Sequence, residues 1–489
     1  MRIKLILPAL KERRDAAFRP IKYSLFPPLS LMTIAALTPP GHEITIEDEH
    51  VEEINLEDDA DIVGMTVYIS SAERAYELAD WFRKRGSKVV MGGIHPTTMP
   101  QEALQHTDSV VLGAAEKTWP QVIRDIERGG LKPYYADSRQ GGCLSVPAAR
   151  RDLMKKGAYL VHNTMIVSRG CPNKCEFCYN QSFNGHSFQL RPIAEVVREL
   201  QGFKSSHVFF LDDNFLSNRS YVMRLLPHLE SRGLIWQCAG SIDIAEDPKY
   251  LEMLRRAGCR SIFIGFESLS RASLREAHKT RNLRCDYARS IRRIHEAGIM
   301  INASFVFGFD HDDPGIFERT LEFVCRNSLE TCTFHILTPY PGTALFKRLL
   351  GEGRILHRDW SKYDTRHVVF RPRGMTMRQL QDGYDWIQKE CYTMHNILRR
   401  SRGASPNFLR RFLLNIGWKK CDALWKQLVR FNLVGAALPL LERTLGRNKS
   451  KKETHAGNPS PDRSDEAEPP GGEVASACDK GKVLSSSAD

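Results

Sequence analysis

The sequence predicts an α/β protein made of a doubly wound, Rossmann-like parallel sheet followed by a partial (β/α)6 barrel. Strand-like and helix-like segments alternate from the first residue to about residue 375, a pattern typical of parallel sheets covered by helices. From residue 376 onward the pattern is helical only, and after residue 448 aromatic and branched apolar residues almost disappear. The predicted parts are a front domain, a connector, a barrel, a basic helical region and a disordered tail, at residues 1–135, 136–163, 164–375, 376–448 and 449–489.

The front domain is predicted from five short apolar runs that end at glycine or small polar residues. These strand-like runs are "RIKLIL" (2–7), "EITIED" (43–48), "DIVGMTVYIS" (61–70), "KVVMGG" (88–93) and "SVVLG" (109–113). Segments with helical periodicity separate them, at 29–37, 71–86 and 115–129.

Two loops of the front domain follow strands directly and are predicted to line a ligand crevice. Gly92 and Gly93 open the stretch "GGIHPTT", and Gly113 and Glu116 lie in "GAAEKT". Ligands of open parallel sheets bind outside the carboxyl ends of the strands, which is where both loops lie. The alternative is that these glycines only make tight turns.

A second strand–helix alternation begins at residue 164, after the connector. Its strand-like runs are "TMIVS" (164–168), "VFFLDD" (208–213), "GLIWQCAGSI" (233–242), "SIFIGFES" (261–268), "INASFVFGF" (301–309) and "TCTFHILTPY" (331–340). Helical patterns fall between them at 192–203, 248–258, 287–298 and 315–327. Six such units predict a partial barrel, whose chemistry is expected at the carboxyl ends of its strands.

The first barrel strand leads into "SRGCPNKCEFCYN" (168–180), which spaces Cys171, Cys175 and Cys178 as C-x3-C-x2-C. Three thiolates can hold three corners of a four-iron cluster and leave the fourth iron open for a ligand. A structural zinc site is the alternative, but it needs a fourth ligand such as Cys143 or His162, and neither has the usual spacing.

The triple-cysteine loop resembles the signature of the radical S-adenosylmethionine (radical SAM) enzymes. The resemblance implies a [4Fe-4S] cluster that binds and cleaves SAM to a 5′-deoxyadenosyl radical. It also implies that Phe177 packs on the adenine, that Asp212 and Asp213 bind the SAM amino group, and that Glu267 contacts the ribose or methionine. The chain departs from many relatives at Ser241, where a basic residue is expected, so the contact to the SAM carboxylate has no assigned residue.

Residues 1–375 together resemble the radical SAM branch that carries a cobalamin-binding domain in front of the barrel. The resemblance implies that the loops with Gly92, Gly93, Gly113 and Glu116 cradle cobalamin. Many cobalamin domains bind cobalt through a D-x-H-x-x-G motif. In "DEHVEE" (48–53) His50 lacks the following glycine and is interpreted as a solvated residue rather than a cobalt ligand. The implied reaction is methylation of an unactivated carbon, with electrons from a reductase or a flavodoxin-type donor.

The net charge of +12 is concentrated near the carboxyl terminus. Residues 402–449 hold ten Lys and Arg but only Asp422 and Glu442, interleaved with Phe, Leu and Trp at helical spacing. This amphipathic region would either lie on an anionic membrane surface or cover the open side of the barrel. We expect a cytoplasmic protein, or one peripheral to the inner membrane, because no signal peptide or membrane-spanning run is visible.

The leading functional hypothesis is a carbon methyltransferase that acts on a lipid or other hydrophobic small molecule. Its rivals are a radical cyclisation or rearrangement, and an RNA methylthiotransferase-like activity. Residues 1–142 contain no cysteine for a second cluster, and no base-stacking platform is apparent, so we expect no nucleic-acid partner. A fourth hypothesis is a non-enzymatic iron or redox sensor. Tyr340, His335 and Tyr363 either line the site or pack in the core.

Overall fold

The computed structural model describes residues 1–10, 24–137, 143–184, 188–401, 408–419 and 421–445. The tail predicted to be disordered, 449–489, lies outside these described residues.

Six strands form one fully parallel sheet in the front part of the chain, in the order β2-β1-β3-β4-β5-β6. The strands are β1 (Arg2–Leu7), β2 (Glu43–Asp48), β3 (Ile62–Thr66), β4 (Lys88–Gly92), β5 (Ser109–Leu112) and β6 (Tyr134–Ala136). The helices between them are α1 (Leu29–Leu37), α2 (Ala72–Lys84), α3 (Ile94–Thr98), α4 (Pro100–Leu104) and α5 (Trp119–Glu127). Separate apolar clusters cover the two faces of the sheet, as a doubly wound fold requires.

The second sheet is the barrel wall, with the order β14-β13-β12-β11-β10-β7 and every pair parallel. Its strands are β7 (Thr164–Met165), β10 (His207–Phe210), β11 (Ile235–Gly240), β12 (Cys259–Glu267), β13 (Met300–Phe307) and β14 (Thr331–Ile336). Because β7 and β14 form the two edges, the barrel is partial, as predicted. A short antiparallel pair, β8 (Ser168–Arg169) and β9 (Gln189–Leu190), lies beside it.

Helices cover the outside of the barrel wall and continue beyond it. They are α6 (Asn180–Asn184), α7 (Ile193–Gln201), α8 (Arg219–Ser231), α9 (Pro248–Arg256), α10 (Arg271–Glu276), α11 (Thr280–Leu283), α12 (Tyr287–Glu296), α13 (Ile316–Arg326), α14 (Ala344–Gly351), α15 (Met377–Glu390), α16 (Met394–Ser401), α17 (Phe408–Lys419), α18 (Asp422–Arg430) and α19 (Leu438–Leu445). The structure confirms β12, α9, α12 and α13 where the sequence predicts them. Their regularly spaced apolar side chains face the core cluster of the barrel.

Three elements differ from the sequence-based expectation. The edge strand β6 was not predicted, because "YYA" is only three residues long and has no apolar run. The first barrel strand is two residues rather than five, and the chain then bends into β8. The stretch "GGIHPTT" forms the short helix α3 instead of an open loop.

The carboxyl-terminal helices are attached to the barrel by buried ion pairs. Arg411 of α17 lies 2.8 Å from Glu330, and both side chains are buried. The second oxygen of Glu330 accepts from the Ile301 amide and contacts His295 at 3.0 Å. Burial raises the pKa of Glu330, but His295 and Arg411 outweigh this effect, so its net pKa is lowered. The helical region therefore covers part of the barrel, as one of the two alternatives predicts.

Candidate functional site

The carboxyl ends of both parallel sheets meet at one cavity of about 570 Å³. The front sheet contributes residues in or just after the carboxyl-terminal halves of β1, β2, β3, β4 and β5, and the barrel contributes residues that follow β7 and β10. A third wall is apolar and comes from the segment before and along α1, with Phe26, Leu29 and Ile34 among its residues. Parallel sheets bind ligands at this edge. Ser168 and Arg169, which precede the cysteine loop, and Tyr179, which follows it, line the cavity, so the loop adjoins the crevice of the front sheet.

The triple-cysteine loop starts directly after β8. The Cys178 amide donates to the Cys175 carbonyl at 3.2 Å, and Cys175 is the most buried of the three thiols. Glu176, between them, is clamped by Arg348 of α14, whose Nε lies 2.8 Å from its Oε1. The ion pair and two backbone hydrogen bonds of Glu176, to Ala277 and Leu345, hold the loop against the barrel.

The chemistry of the three thiols fits an iron–sulfur cluster. Burial raises the pKa of Cys178 to about 12, and the nearby Cys175 and Cys171 raise it further. Burial also raises the pKa of Cys175. A bound cation is what converts such thiols to thiolates. Within the described ranges no three Cys, His, Asp or Glu side chains converge on a ready-made metal site, so the final ligand geometry would form with the cluster.

A buried ion pair at the end of β12 lies near Cys175 of the cysteine loop. Lys279 Nζ lies 2.7 Å from Glu267 Oε1, with side chains 15% and 9% exposed. Burial opposes the charged form of Lys279, but the neighbouring Glu267 and Cys175 raise its pKa overall. Glu267 has a φ of 63°, rare for a residue with a side chain, and β12 shifts register against β13 there. Such strain at a strand end is typical of a functional position.

Asp212 and Asp213 differ sharply in what they contact. The carboxylate of Asp212 is buried and accepts from the amides of Val167 and Ser168 and from Ser168 Oγ, at 2.5–3.2 Å. Burial raises its pKa to about 7. Asp213 instead is exposed to the cavity, where Asn180 and Tyr179 donate to it. Asp212 thus fixes the turn between β7 and β8, whereas Asp213 faces the cavity.

Phe177 lies half-buried on the barrel core, with its ring centroid 6.0 Å from that of Phe309 in an edge-to-face contact. Part of its surface remains exposed beside the cysteine loop. The position is compatible with packing on a planar ligand.

Small residues form the front-sheet edge of the cavity. Gly93 has a φ of 103°, and a Cβ there would lie 2.8 Å from the Val67 carbonyl oxygen. Gly92 and Gly113 line the cavity, and neither would meet backbone or side chains closer than 3.6 Å with an added Cβ. Gly93 is therefore required by the backbone itself, and Gly113, with a φ of 72°, also favours glycine, whereas Gly92 only leaves space at the cavity.

Glu116 lines the cavity as one partner of an ion pair. Arg169 of β8 binds both of its carboxylate oxygens, with Nη1 2.7 Å from Oε2. Both side chains are largely buried. Because Glu116 follows β5 and Arg169 follows β7, this bidentate pair joins the front sheet to the barrel across the cavity.

His50 is not the solvated residue that the sequence indicated. Its ring is 6% exposed, its Nδ1 lies 2.9 Å from Asp48 Oδ1, and its Nε2 accepts from the Leu10 amide. Asp48 in turn accepts from the buried hydroxyl of Tyr159. The error arose because a polar stretch after a strand looks solvated in sequence, while here the connector folds back over it.

The remaining candidates separate into packing and site residues. Tyr363 is buried and donates to the His357 carbonyl, and His335 is 3.0 Å from Thr365 Oγ1. Burial raises the pKa of Tyr340, and the nearby Cys178 raises it further. Cys143 is exposed and contacts the Leu190 carbonyl. Ser241 accepts from Asn214.

Several site residues were missed by reasoning on the sequence alone: Lys279, Arg169, Tyr179 and Asn180. Tyr179 and Asn180 directly follow Cys178, which was an available signal. Lys279 and Arg169 carry no local signal, because their carboxylate partners are 12 and 53 residues away in the sequence.

Family models match three stretches of the chain: Radical SAM superfamily over residues 165–324, B12 binding domain over residues 23–123, and Domain of unknown function (DUF4070) over residues 343–437. The first two cover the barrel wall with its cysteine loop and most of the front sheet.

Curated relatives match across both domains. The chain is 31% identical over 404 residues to bacteriochlorophyllide d C-12(1)-methyltransferase of Chlorobaculum tepidum, covering 79% of this chain and 88% of the relative. It is 26% identical to hopanoid C-2 methylase of Rhodopseudomonas palustris, over 69% of this chain and 66% of the relative. It is also 26% identical to anaerobic magnesium-protoporphyrin IX monomethyl ester cyclase of Cereibacter sphaeroides, over 66% of this chain and 58% of the relative.

Among solved structures, the fold is similar to that of TsrM from Kitasatospora setae, a radical S-adenosylmethionine methyltransferase solved with cobalamin and a [4Fe-4S] cluster bound. The TM-score is 0.61 at 14% identity, and the match covers 89% of this chain and 99% of the other.

Proposed function

The chain belongs to the cobalamin-dependent radical SAM methyltransferase family, and from that premise we propose that it methylates an unactivated carbon of a lipid or other hydrophobic metabolite. Its cofactors are a [4Fe-4S] cluster, SAM and cobalamin. The observation that carries the proposal is the shared cavity, which adjoins the cysteine loop, the glycine edge and an apolar wall. When bound, the cluster and SAM supply a hydrogen-abstracting radical, and cobalamin supplies the methyl group.

We propose the following roles for the side chains around this cavity. Cys171, Cys175 and Cys178 would hold the cluster, and Phe177 would pack on the SAM adenine. Asp213, which faces the cavity, would bind the SAM ammonium group.

On the same edge, Glu267 would contact the ribose or methionine, held in place by Lys279. Asp212 would act indirectly, by fixing the turn that precedes the cysteine loop. Gly92, Gly93 and Gly113 would let cobalamin approach the backbone. Glu116, paired with Arg169, would lie beside the bound cobalamin.

The apolar wall supports a hydrophobic substrate. Phe26, Leu29, Leu31, Ile34 and Leu37 give this side of the cavity few groups that could hydrogen-bond a polar molecule. The named substrates of the relatives, a bacteriochlorophyllide and a hopanoid, are both large ring systems with extensive apolar surface. We therefore place the substrate in that chemical class.

The relative named as a cyclase keeps radical cyclisation as a second candidate reaction. The two reactions differ in their products, because methyl transfer from SAM leaves S-adenosylhomocysteine and cyclisation does not. Electrons would come from a reductase or a flavodoxin-type donor in either case.

The test is anaerobic reconstitution of the full chain with iron, sulfide and hydroxocobalamin, followed by desalting, absorbance spectroscopy and assay with dithionite. Retained cobalamin with both 5′-deoxyadenosine and S-adenosylhomocysteine is the expected result. Cys175→Ala should abolish the cluster absorbance, while Cys143→Ala, an exposed cysteine outside the loop, should keep it. Deoxyadenosine without S-adenosylhomocysteine in a screen of hydrophobic ring substrates would favour cyclisation, and no SAM cleavage would refute both reactions.

A further inference from the structure

The helical region after residue 408 has two unlike sides. On the side that faces the barrel, Arg411 and Asn415 of α17 are buried and bind Glu330 and its carbonyl. Trp425, Val434 and Leu438 pack with Leu160 and Val161 of the connector. This side is an ordinary protein interface, and it anchors the three helices to the rest of the chain.

The other side presents large apolar side chains to solvent. Leu409 and Leu413 lie one turn apart on α17, on the side of the helix away from the buried Arg411 and Asn415. The exposed fractions of the set, which we term the C-terminal apolar surface, range from 47% to 66% and belong to Leu409, Leu413, Leu424, Phe431, Leu433 and Leu440. Six of the thirteen exposed large apolar side chains in the described part of the chain thus lie between residues 409 and 440. Apolar clusters of this kind mark interaction sites.

The charges around this surface are almost all positive. Residues 402–449 contain ten Lys and Arg and two acidic residues. One of those two, Glu442, is buried, and its Oε1 accepts from Ser206 Oγ at 3.4 Å. Lys426, Arg430 and Arg443 are exposed on the same helices as the apolar side chains. A surface that combines exposed leucines with a net positive charge is complementary to an anionic bilayer.

We propose that the C-terminal apolar surface docks the protein on an anionic lipid bilayer. No helix in the described part of the chain is long and apolar enough to span a membrane, so the contact is at the bilayer surface. The proposal deepens the function proposed above, on which it rests for its biological purpose: a hydrophobic substrate is stored in or delivered from a membrane.

The docking helices are joined structurally to the apolar wall of the cavity. Leu25 and Phe26 pack in the same cluster as Trp425 and Val434, and Phe26 also lines the cavity. The Leu160 and Val161 amides donate to the Ser24 and Leu25 carbonyls at 2.9 Å, which holds this segment in place. A substrate leaving the bilayer would therefore meet the apolar wall close to the docking surface.

The experiment is flotation of the full chain with phosphatidylcholine vesicles, with and without phosphatidylglycerol, at low and high salt. Binding is expected only with phosphatidylglycerol and is expected to weaken with salt. Lys426→Glu with Arg430→Glu should weaken binding by about tenfold or more. Leu409→Gln with Leu413→Gln should also weaken it, while Leu350→Gln, an equally exposed leucine on α14, should not.

Three results would overturn the docking proposal. Equal binding of the wild type to both vesicle types would show that anionic lipid is not recognised. No binding to either vesicle type would refute docking on a bilayer. Conversion of a dimer to a monomer by the leucine pair, measured by light scattering, would assign the surface to a second copy of the chain. The binding assay needs neither cluster nor cobalamin, so its failure leaves the methyltransferase proposal untouched. Likewise, absent SAM cleavage does not alter the binding result.

Discussion

The two sheet edges that face the cavity have the same topology but opposite chemistry. Both are carboxyl ends of fully parallel strands. The front-sheet edge combines Gly92, Gly93 and Gly113 with apolar neighbours and few charged side chains, whereas the barrel end carries the cysteine loop, the Lys279–Glu267 pair and Asp213, of which Asp213 lines the cavity. With the roles proposed above, the glycine edge would admit a large ligand because it lacks side chains, and the barrel end would bind a smaller charged ligand through its side chains.

The largest effect is expected from breaking the charged edge at Lys279→Met. The substitution leaves the Glu267 carboxylate buried without its cation, which should cost about 3–5 kcal/mol of unfolding free energy. Denaturant titration of the wild type and variant measures this loss. Lys279→Arg should restore most of it, and Lys279→Met combined with Glu267→Gln should lose less than Lys279→Met alone. A double variant as unstable as the single would show that the pair does not interact.

The glycine edge should respond to added volume rather than lost charge. Gly93→Ala forces a Cβ to within 2.8 Å of the Val67 backbone at a φ of 103°, so we expect a loss of about 2 kcal/mol. Gly86→Ala has a similar φ of 93° with nothing within 4 Å, and it isolates the cost of the backbone angle. If both variants lose the same stability, the close approach to Val67 is unimportant.

Gly92→Ala sharpens the same point, because its Cβ meets nothing closer than 3.6 Å and lies at the cavity. It should leave the thermal midpoint nearly unchanged and reduce the cobalamin retained after desalting. Full retention in this variant would indicate that cobalamin does not approach that strand end.

Asp212→Asn tests the carboxylate that fixes the turn before the cysteine loop. An amide would direct N–H groups at N–H and O–H donors, so we expect a loss of about 1–3 kcal/mol. The pKa of Asp212 is raised to about 7 by burial, above that of the unfolded chain, so its contribution to stability is largest at low pH. It falls as pH rises from about 4 to about 7. Unfolding free energies measured across this window should therefore slope downward in the wild type and less so in the variant; parallel slopes would contradict the assignment.

The smallest effect is expected where the two edges are joined. Arg169→Gln and Glu116→Gln each remove one partner of the bidentate pair, and a double-mutant cycle should give a coupling energy of about 1 kcal/mol. A coupling energy near zero would mean that this ion pair contributes nothing to holding the two halves together.

Features encoded by residues close together in the sequence could be predicted, whereas contacts between distant residues could not. The parallel sheets and the cysteine loop were predicted, since apolar runs and residue spacing are local patterns. The pairing of Lys279 with Glu267 and of Arg169 with Glu116 requires the folded barrel, and no local pattern reveals it. His50 was misjudged for the same reason, because the residues that bury it come from other parts of the chain.

The Arg169–Glu116 pair also bears on how such enzymes can be recombined. Each partner belongs to a different half of the molecule, and each is largely buried. A chimera that joined this barrel to the front domain of a relative without a matching acid would bury a solitary guanidinium at the seam. A front domain and a barrel exchanged between relatives would therefore need both Glu116 and Arg169, or an equivalent pair of opposite charges, at this contact.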